Sequence, residues 1–166
     1  MITYNNDVLS EIWDAKRLIR EYVNTILQNH GFVHPENKRR KGGIYLFEDK
    51  SGVRYPDFYK KDIVLDAKYK RLGSYEDVAK VGRDDIHQVI AYVNALNAKT
   101  GGFVSPLENK QAIIPTKHIK GTNSTLSIFG IEICKSADSY ANFCEEMRIK
   151  EKEFVESLYL HEYDNI

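Results

Sequence analysis

The sequence predicts an α/β fold, a central mixed β-sheet flanked by helices. Three observations carry that expectation. Apolar residues recur at three- and four-residue steps in three well-separated segments. Short apolar runs bounded by turn residues lie between them. One run, Ile63-Val64-Leu65, shows no polar alternation at all, which suits a strand covered on both faces.

The first helix rests on Val8, Ile12, Ala15, Ile19, Tyr22, Val23 and Ile26, with several capping residues between Asn5 and Ser10. Asn29-His30-Gly31 is its expected end, Gly31 being suited to a left-handed stop. Pro35 and the basic cluster Lys38-Arg39-Arg40-Lys41 then read as a loop. Ile44-Tyr45-Leu46-Phe47 is a short strand, Glu48 to Gly52 a turn, and Val53 to Phe58 the return strand, where Pro56 implies an edge or a bulge. A third strand begins at Ile63 and regains alternation through Asp66-Ala67-Lys68-Tyr69-Lys70. Asp84 and Asp85 open a second helix, favourable charges for a first turn, with Ile86, Val89, Ile90, Val93 and Leu96 as its buried stripe. It is expected to run through about Asn97, with Gly101-Gly102 breaking it before the next strand. Strands follow at Phe103 to Pro106, Gln111 to Pro115 and Leu126 to Ile133, then a last helix from Ser139 to Leu158. No repeat, low-complexity tract or linker divides residues 1–166, so a single domain is expected.

Composition narrows the classes. At 166 residues the chain is long enough to bury a core without disulfide staples. No segment reaches the roughly 18 apolar residues of a membrane span, and the first residues lack a secretion-signal layout, so a cytoplasmic location is expected. Cys134 and Cys144 form no C-x-x-C pair and are expected to be buried and reduced. A formal net charge of zero argues against coating nucleic acid by bulk electrostatics. Local contact through Lys38 to Lys41, or through Lys60, Lys61, Lys68, Lys70 and Arg71, stays open beside the plainer reading of solvated loops.

The chemistry concentrates in Tyr55-Pro56-Asp57 and, eight residues later, Asp66-Ala67-Lys68. Magnesium is usually held by one or two carboxylates with waters and phosphate oxygens, and Asp57 and Asp66 supply that number, with the Ala67 carbonyl completing the protein share. Lys68 stands two residues beyond Asp66, so on a strand both side chains share a face. There a lysine can orient or help deprotonate the attacking water and offset charge at phosphorus. The plainer alternative makes Asp57 a turn residue and Asp66–Lys68 an exposed ion pair worth about 0–1 kcal/mol. Gln88 and Tyr92 fall on one flank of the second helix, the side that carries Asp85. Gln88 can serve a metal-bound water or a phosphate, and Tyr92 a DNA backbone. Otherwise they are a surface amide and a packing residue.

These pieces, with Ile63-Val64-Leu65-Asp66-Ala67-Lys68-Tyr69-Lys70, Asp85-Ile86-His87-Gln88-Val89-Ile90-Ala91-Tyr92 and Gly102-Phe103-Val104-Ser105-Pro106, resemble the PD-(D/E)xK nucleases of the Q-x-x-x-Y branch. Within that branch they resemble the C-terminal nuclease domain of McrC-type subunits of modification-dependent restriction systems, over roughly residues 44–106. The resemblance implies a restriction-endonuclease-like fold and a Mg2+-dependent DNA endonuclease, with Mn2+ as a substitute. Asp57, Asp66, Lys68, Gln88 and Tyr92 would form the centre. Such nucleases often add an acidic residue from the first helix, here Glu11 as a metal ligand, with Glu21 behind it. McrC-type subunits also engage a GTP-hydrolysing AAA+ motor through an N-terminal region, so the resemblance implies such a partner, while these 166 residues are expected to hold the nuclease domain only. The chain carries no G-x-x-x-x-G-K-[ST] loop, so nucleotide hydrolysis would belong to another chain. Cutting both strands needs two centres or two passes, which is compatible with a homodimer. Two other readings share these residues: a repair or recombination nuclease of the RecB or junction-resolving type, and a non-catalytic DNA-binding or assembly module.

Overall fold

The structure, a computed structural model, describes residues 6–69 and 77–163, with side chains described only between 15 and 160. The side chain of Glu11, and Lys70 and Arg71, lie outside the described residues.

Helix α1 (Asn6–Leu27) leads through a short 3-10 turn to Gly31, which adopts the left-handed conformation expected of it. Strands β1 (Ile44–Tyr45) and β2 (Val53–Arg54) pair as a small separate hairpin. Strands β3 (Phe58–Lys60), β4 (Ile63–Ala67), β5 (Thr100–Leu107), β6 (Thr116–His118) and β7 (Thr125–Glu132) form one sheet in the order β3-β4-β5-β7-β6. The β4, β5 and β7 strands run parallel, and β3 and β6 close the two edges antiparallel, so the sheet is mixed. Helix α2 (Arg83–Leu96) connects β4 to β5, and α3 (Tyr140–Tyr163) follows β7.

Two buried clusters lie on opposite faces of the sheet. Ile63, Leu65, Val104, Phe129 and Ile131 meet Val23 and Leu27 of α1 and Phe154, Val155 and Leu158 of α3. Val64, Phe103 and Ile128 meet Val89, Tyr92 and Val93 of α2. Neighbours 63 and 64 therefore serve different cores, as strand alternation demands when both faces are covered.

Several boundaries differ from expectation. The return strand predicted over 53–58 is two strands, β2 and β3, parted at Pro56-Asp57. Proline has no N–H to give a ladder, and the chain there leaves the hairpin to join the main sheet. The end of helix α2 is not among these differences: it stops at Leu96, next to the expected Asn97, which takes the left-handed stop position (φ 49°). Gly101 and Gly102 do not break it but lie inside β5. A Cβ on Gly101 would sit 2.7 Å from Val89 and Leu126, and one on Gly102 would sit 2.6 Å from Phe129. Glycine is there because side chains from both layers close over the central strand. The strand expected over 111–115 is irregular, and β6 begins at Thr116. Cys134 is buried and Cys144 partly buried, and both are free thiols.

Candidate active site

Strand register brings the two carboxylates together. Strand β3 pairs with β4 through Phe58–Leu65, Tyr59–Val64 and Lys60–Ile63, so the next step along each chain sets Asp57 beside Asp66. The backbone N–H of Ala67 donates to Asp57 Oδ2 at 2.8 Å. The Asp57 carbonyl lies 2.7 Å from Nδ1 of His34, whose ring stacks on Phe58. Asp57 is thus held just ahead of β3 rather than on a strand.

Asp66 ends the buried run of β4 and is itself only 6% exposed. It shares the α2 face with Val64, and Lys68 continues that alternation, anchored by its backbone N–H to the Val104 carbonyl at 2.7 Å. The Lys68 ammonium stands between two carboxylates, 2.6 Å from Asp66 Oδ2 and 2.7 Å from Asp85 Oδ1. The Asp85 contact is a hydrogen bond, whereas the close Asp66 contact lacks that alignment, and buried Asp66 Oδ2 accepts no hydrogen bond.

The electrostatics are strained. Burial, followed by the neighbouring Asp57 charge, pushes the Asp66 carboxyl up to about 6 against the pull of Lys68. Burial also raises Asp57, outweighing the Ala67 N–H bond and the Arg20, Lys68 and His34 charges. For Lys68, burial acts downward, but Asp66 and Asp85 outweigh it and hold the ammonium above its ordinary value. Lys68 is consequently charged at neutral pH in the metal-free protein. That favours its reading as a donor and charge-neutralising group over that of a base.

Asp57, Asp66, Ala67, Lys68, Asp85 and Gln88 all line one cleft of about 630 Å³. Its other wall is basic: Lys16, Arg17 and Arg20 from α1, with Lys38 from the loop. Arg20 reaches to 3.9 Å from Asp57 Oδ1. Gln88 donates from Nε2 to the Tyr92 hydroxyl at 2.6 Å. Tyr92 is buried, only 3% exposed, and holds Gln88 without itself lining the cleft. Glu21 is exposed and does not line the cleft. The residues that sequence reasoning passed over are Lys16, Arg17, Arg20 and the approach of Asp85 to Lys68. The signal for the first three was available, since positions 16, 17 and 20 share one side of a helix.

Among the described residues, no three His, Cys, Asp or Glu side chains cluster to hold a metal. Residues 7–106 match the family model described as "McrBC 5-methylcytosine restriction system component". The chain belongs to this McrBC family. A solved chain in an assembly of Thermococcus gammatolerans McrB AAA+ hexamers with bound McrC is similar in fold, with a TM-score of 0.53 and 16% identity. The likeness covers 83% of this chain and 33% of the other, so this McrBC-family chain spans about a third of that length. No curated protein sequence matches significantly. Among the described residues, no helix is long and apolar enough to cross a membrane.

Proposed function

We propose that this chain is a Mg2+-dependent DNA endonuclease domain, the cutting module of an McrBC-like restriction system. The observation that carries this reading is the meeting of Asp57 and Asp66 beside Lys68 in one cleft. The donor set fits magnesium. Half-buried Asp57 and buried Asp66 repel each other, Asp66 Oδ2 has the Lys68 ammonium as a close neighbour but no aligned hydrogen bond, and hard oxygens at this number are what the ion takes alongside waters. Asp57, Asp66 and the Ala67 carbonyl would hold it. When bound, the ion supplies an acidified water and charge neutralisation at the phosphate.

The chain's own residues do the rest. Lys68, as an ammonium, donates toward the attacking water or a phosphate oxygen and offsets developing negative charge. Gln88, fixed by Tyr92, offers its amide at the same cleft. Lys16, Arg17, Arg20 and Lys38 line the opposite wall, where they attract and align a phosphate backbone without reading bases. The family match and the fold shared with the McrB–McrC assembly support a second part of the proposal, that an AAA+ motor delivers the DNA to this domain.

The test is cleavage of supercoiled plasmid with Mg2+, Mn2+ or EDTA, by the wild type and by the Asp66→Asn and Lys68→Met variants. The expected result is metal-dependent cleavage that falls at least ~100-fold in either variant. Activity that survives both changes sinks the assignment. Preference for free ends or branched substrates over closed duplex would favour a repair nuclease instead.

A further inference from the structure

Asp85 reaches the centre from a different element than Asp57, Asp66 and Lys68. It lies in the first turn of α2, and its Oδ1 accepts the hydrogen bond from Lys68 Nζ at 2.7 Å. Its neighbour Asp84 occupies the same turn but points to solvent, its side chain 94% exposed. Helix-dipole chemistry would account for either aspartate equally. It does not account for why one of them is turned inward onto the lysine.

Gly82, the residue that opens α2, gives a second and separate observation. Its backbone (φ −53°, ψ 134°) suits any residue, and no side chain caps the helix there, although Ser, Thr, Asp or Asn is the usual choice. A Cβ on Gly82 would lie 3.3 Å from Asp85 Oδ2. The glycine forgoes a side-chain cap and leaves the Asp85 carboxylate its place against Lys68.

We infer that Asp85 is a positioning residue that holds the Lys68 ammonium in register with the Asp57–Asp66 pair, and that Gly82 keeps the space this requires. The inference rests on the nuclease reading only for its effect on rate. Lys68 has two anions in the metal-free protein, and Asp66 is the one a cation would engage. Asp85 is then the contact that keeps the long, four-bond side chain in one place. Without it, Lys68 follows Asp66 alone or swings into the cleft.

The experiment compares Asp85→Asn, Asp85→Glu and Gly82→Ala with Asp84→Asn, the control for lost helix-dipole charge. Two readouts are taken. In metal-free protein, the 15N–1H spectrum of lysine side chains should show Lys68, because an ammonium held in ion pairs exchanges slowly with water. That signal should broaden away in Asp85→Asn and persist in Asp84→Asn and Asp85→Glu. In the cleavage assay, Asp85→Asn should lower kcat about 10- to 100-fold with KM for DNA little changed, as expected for a misplaced group. Asp85→Glu should recover part of the loss, and Gly82→Ala should fall between Asp85→Asn and the wild type. Magnesium affinity by calorimetry should stay within about twofold in Asp85→Asn, since the inferred role is toward the lysine and not the ion. A Lys68 signal unchanged in Asp85→Asn overturns the inference, as does a kcat loss matched by Asp84→Asn, or a large loss of metal affinity. If the wild type cuts no DNA, the nuclease reading fails, while the lysine spectrum still decides whether Asp85 holds Lys68.

Discussion

Replacing Asp66 by Asn should make the metal-free protein more stable while removing its proposed activity. The reason is quantitative. Raising a buried carboxyl from 3.8 to about 6 disfavours its ionised form by ~3 kcal/mol, at about 1.36 kcal/mol per tenfold change in proton affinity. Because the folded-state value lies above the unfolded one, the penalty is absent well below pH 3.8. It grows between 3.8 and about 6, and is complete above that. Linkage then places it at ~3 kcal/mol at pH 7.5, at roughly half of that at pH 5, and at a small fraction of it at pH 4. The attraction of Lys68 is already contained in the net shift, and Asp85 remains as a partner for the lysine in the variant. Asn keeps the size of the neutral acid and never ionises. In a domain of this size, 1 kcal/mol corresponds to roughly 2–4 °C in Tm. Asp66→Asn should therefore melt ~6–12 °C above wild type at pH 7.5, and by about half that margin at pH 5. Calorimetry or urea unfolding in EDTA at both pH values measures this. A variant less stable than wild type at pH 7.5, or one with the same gain at both pH values, refutes the electrostatic account. Magnesium should narrow the gap at pH 7.5 by stabilising the wild type alone.

Three further outcomes follow from other parts of the molecule. Exchanging Lys38, Arg39 and Arg40 together for Ala should weaken DNA binding with little change in kcat. It should also flatten the dependence of log K on log salt by roughly 2–3, about one for each phosphate no longer neutralised, as read by fluorescence anisotropy across a salt series. Tyr92→Phe removes the acceptor for the Gln88 amide and should cost about 1 kcal/mol of stability in urea unfolding, with a kcat reduction smaller than that of Lys68→Met. Gly102→Ala puts a methyl 2.6 Å from Phe129 and 2.7 Å from Leu65. It should cost about 1–3 kcal/mol by overpacking or prevent folding, and melting or soluble yield reports either result.

The parts of the site that were legible in the sequence are those encoded by local period. The run Ile63-Val64-Leu65 announced a covered strand, and alternation put Asp66 and Lys68 on one face of it. The same logic at helical period put Gln88 and Tyr92 together. What local period cannot encode is which pieces meet. Asp57 sits beside Asp66 through the β3–β4 register, a pairing set by how Phe58 and Leu65 share a core. Pro56 signalled a break there without saying that the chain would change sheets. Asp85 read as a favourable first-turn charge, since its approach to Lys68 depends on how α2 lies across the sheet. Lys16, Arg17 and Arg20 share one side of a helix but carry no local mark that distinguishes them from other helical cations, and they line the cleft because of how α1 packs on the Ile63–Leu65 face of β4. Gly101-Gly102 misled for a related reason. Glycine marks both helix ends and places where layers press close, and only the packing of Val89, Leu126 and Phe129 tells the two apart.

The charges of the cleft are hard to explain as a device for stability. A fold gains nothing from setting two carboxylates side by side at the end of a buried strand. Two like charges that share a site out of water repel each other, so neutralising one of them is favourable unless something else binds there. Asp57 and Asp66 are both raised despite a lysine and an arginine nearby, so the protein's own cations do not satisfy them. Arg20 stays 3.9 Å away, and Lys68 is shared with Asp85 rather than given wholly to Asp66. A divalent cation between the two carboxylates would remove their mutual repulsion and favour ionisation of both. It would leave Lys68 tethered by Asp85, with its charge available for the substrate. The basic wall across the cleft then faces a less acidic floor, and a phosphate backbone can approach both. Under the proposed function, ion and DNA should each strengthen the binding of the other. A metal-titration series of DNA affinity with the Lys68→Met protein, which keeps both carboxylates, measures that coupling without cleavage. Affinity for DNA that is indifferent to magnesium would mean that the acidic pair serves some other ligand.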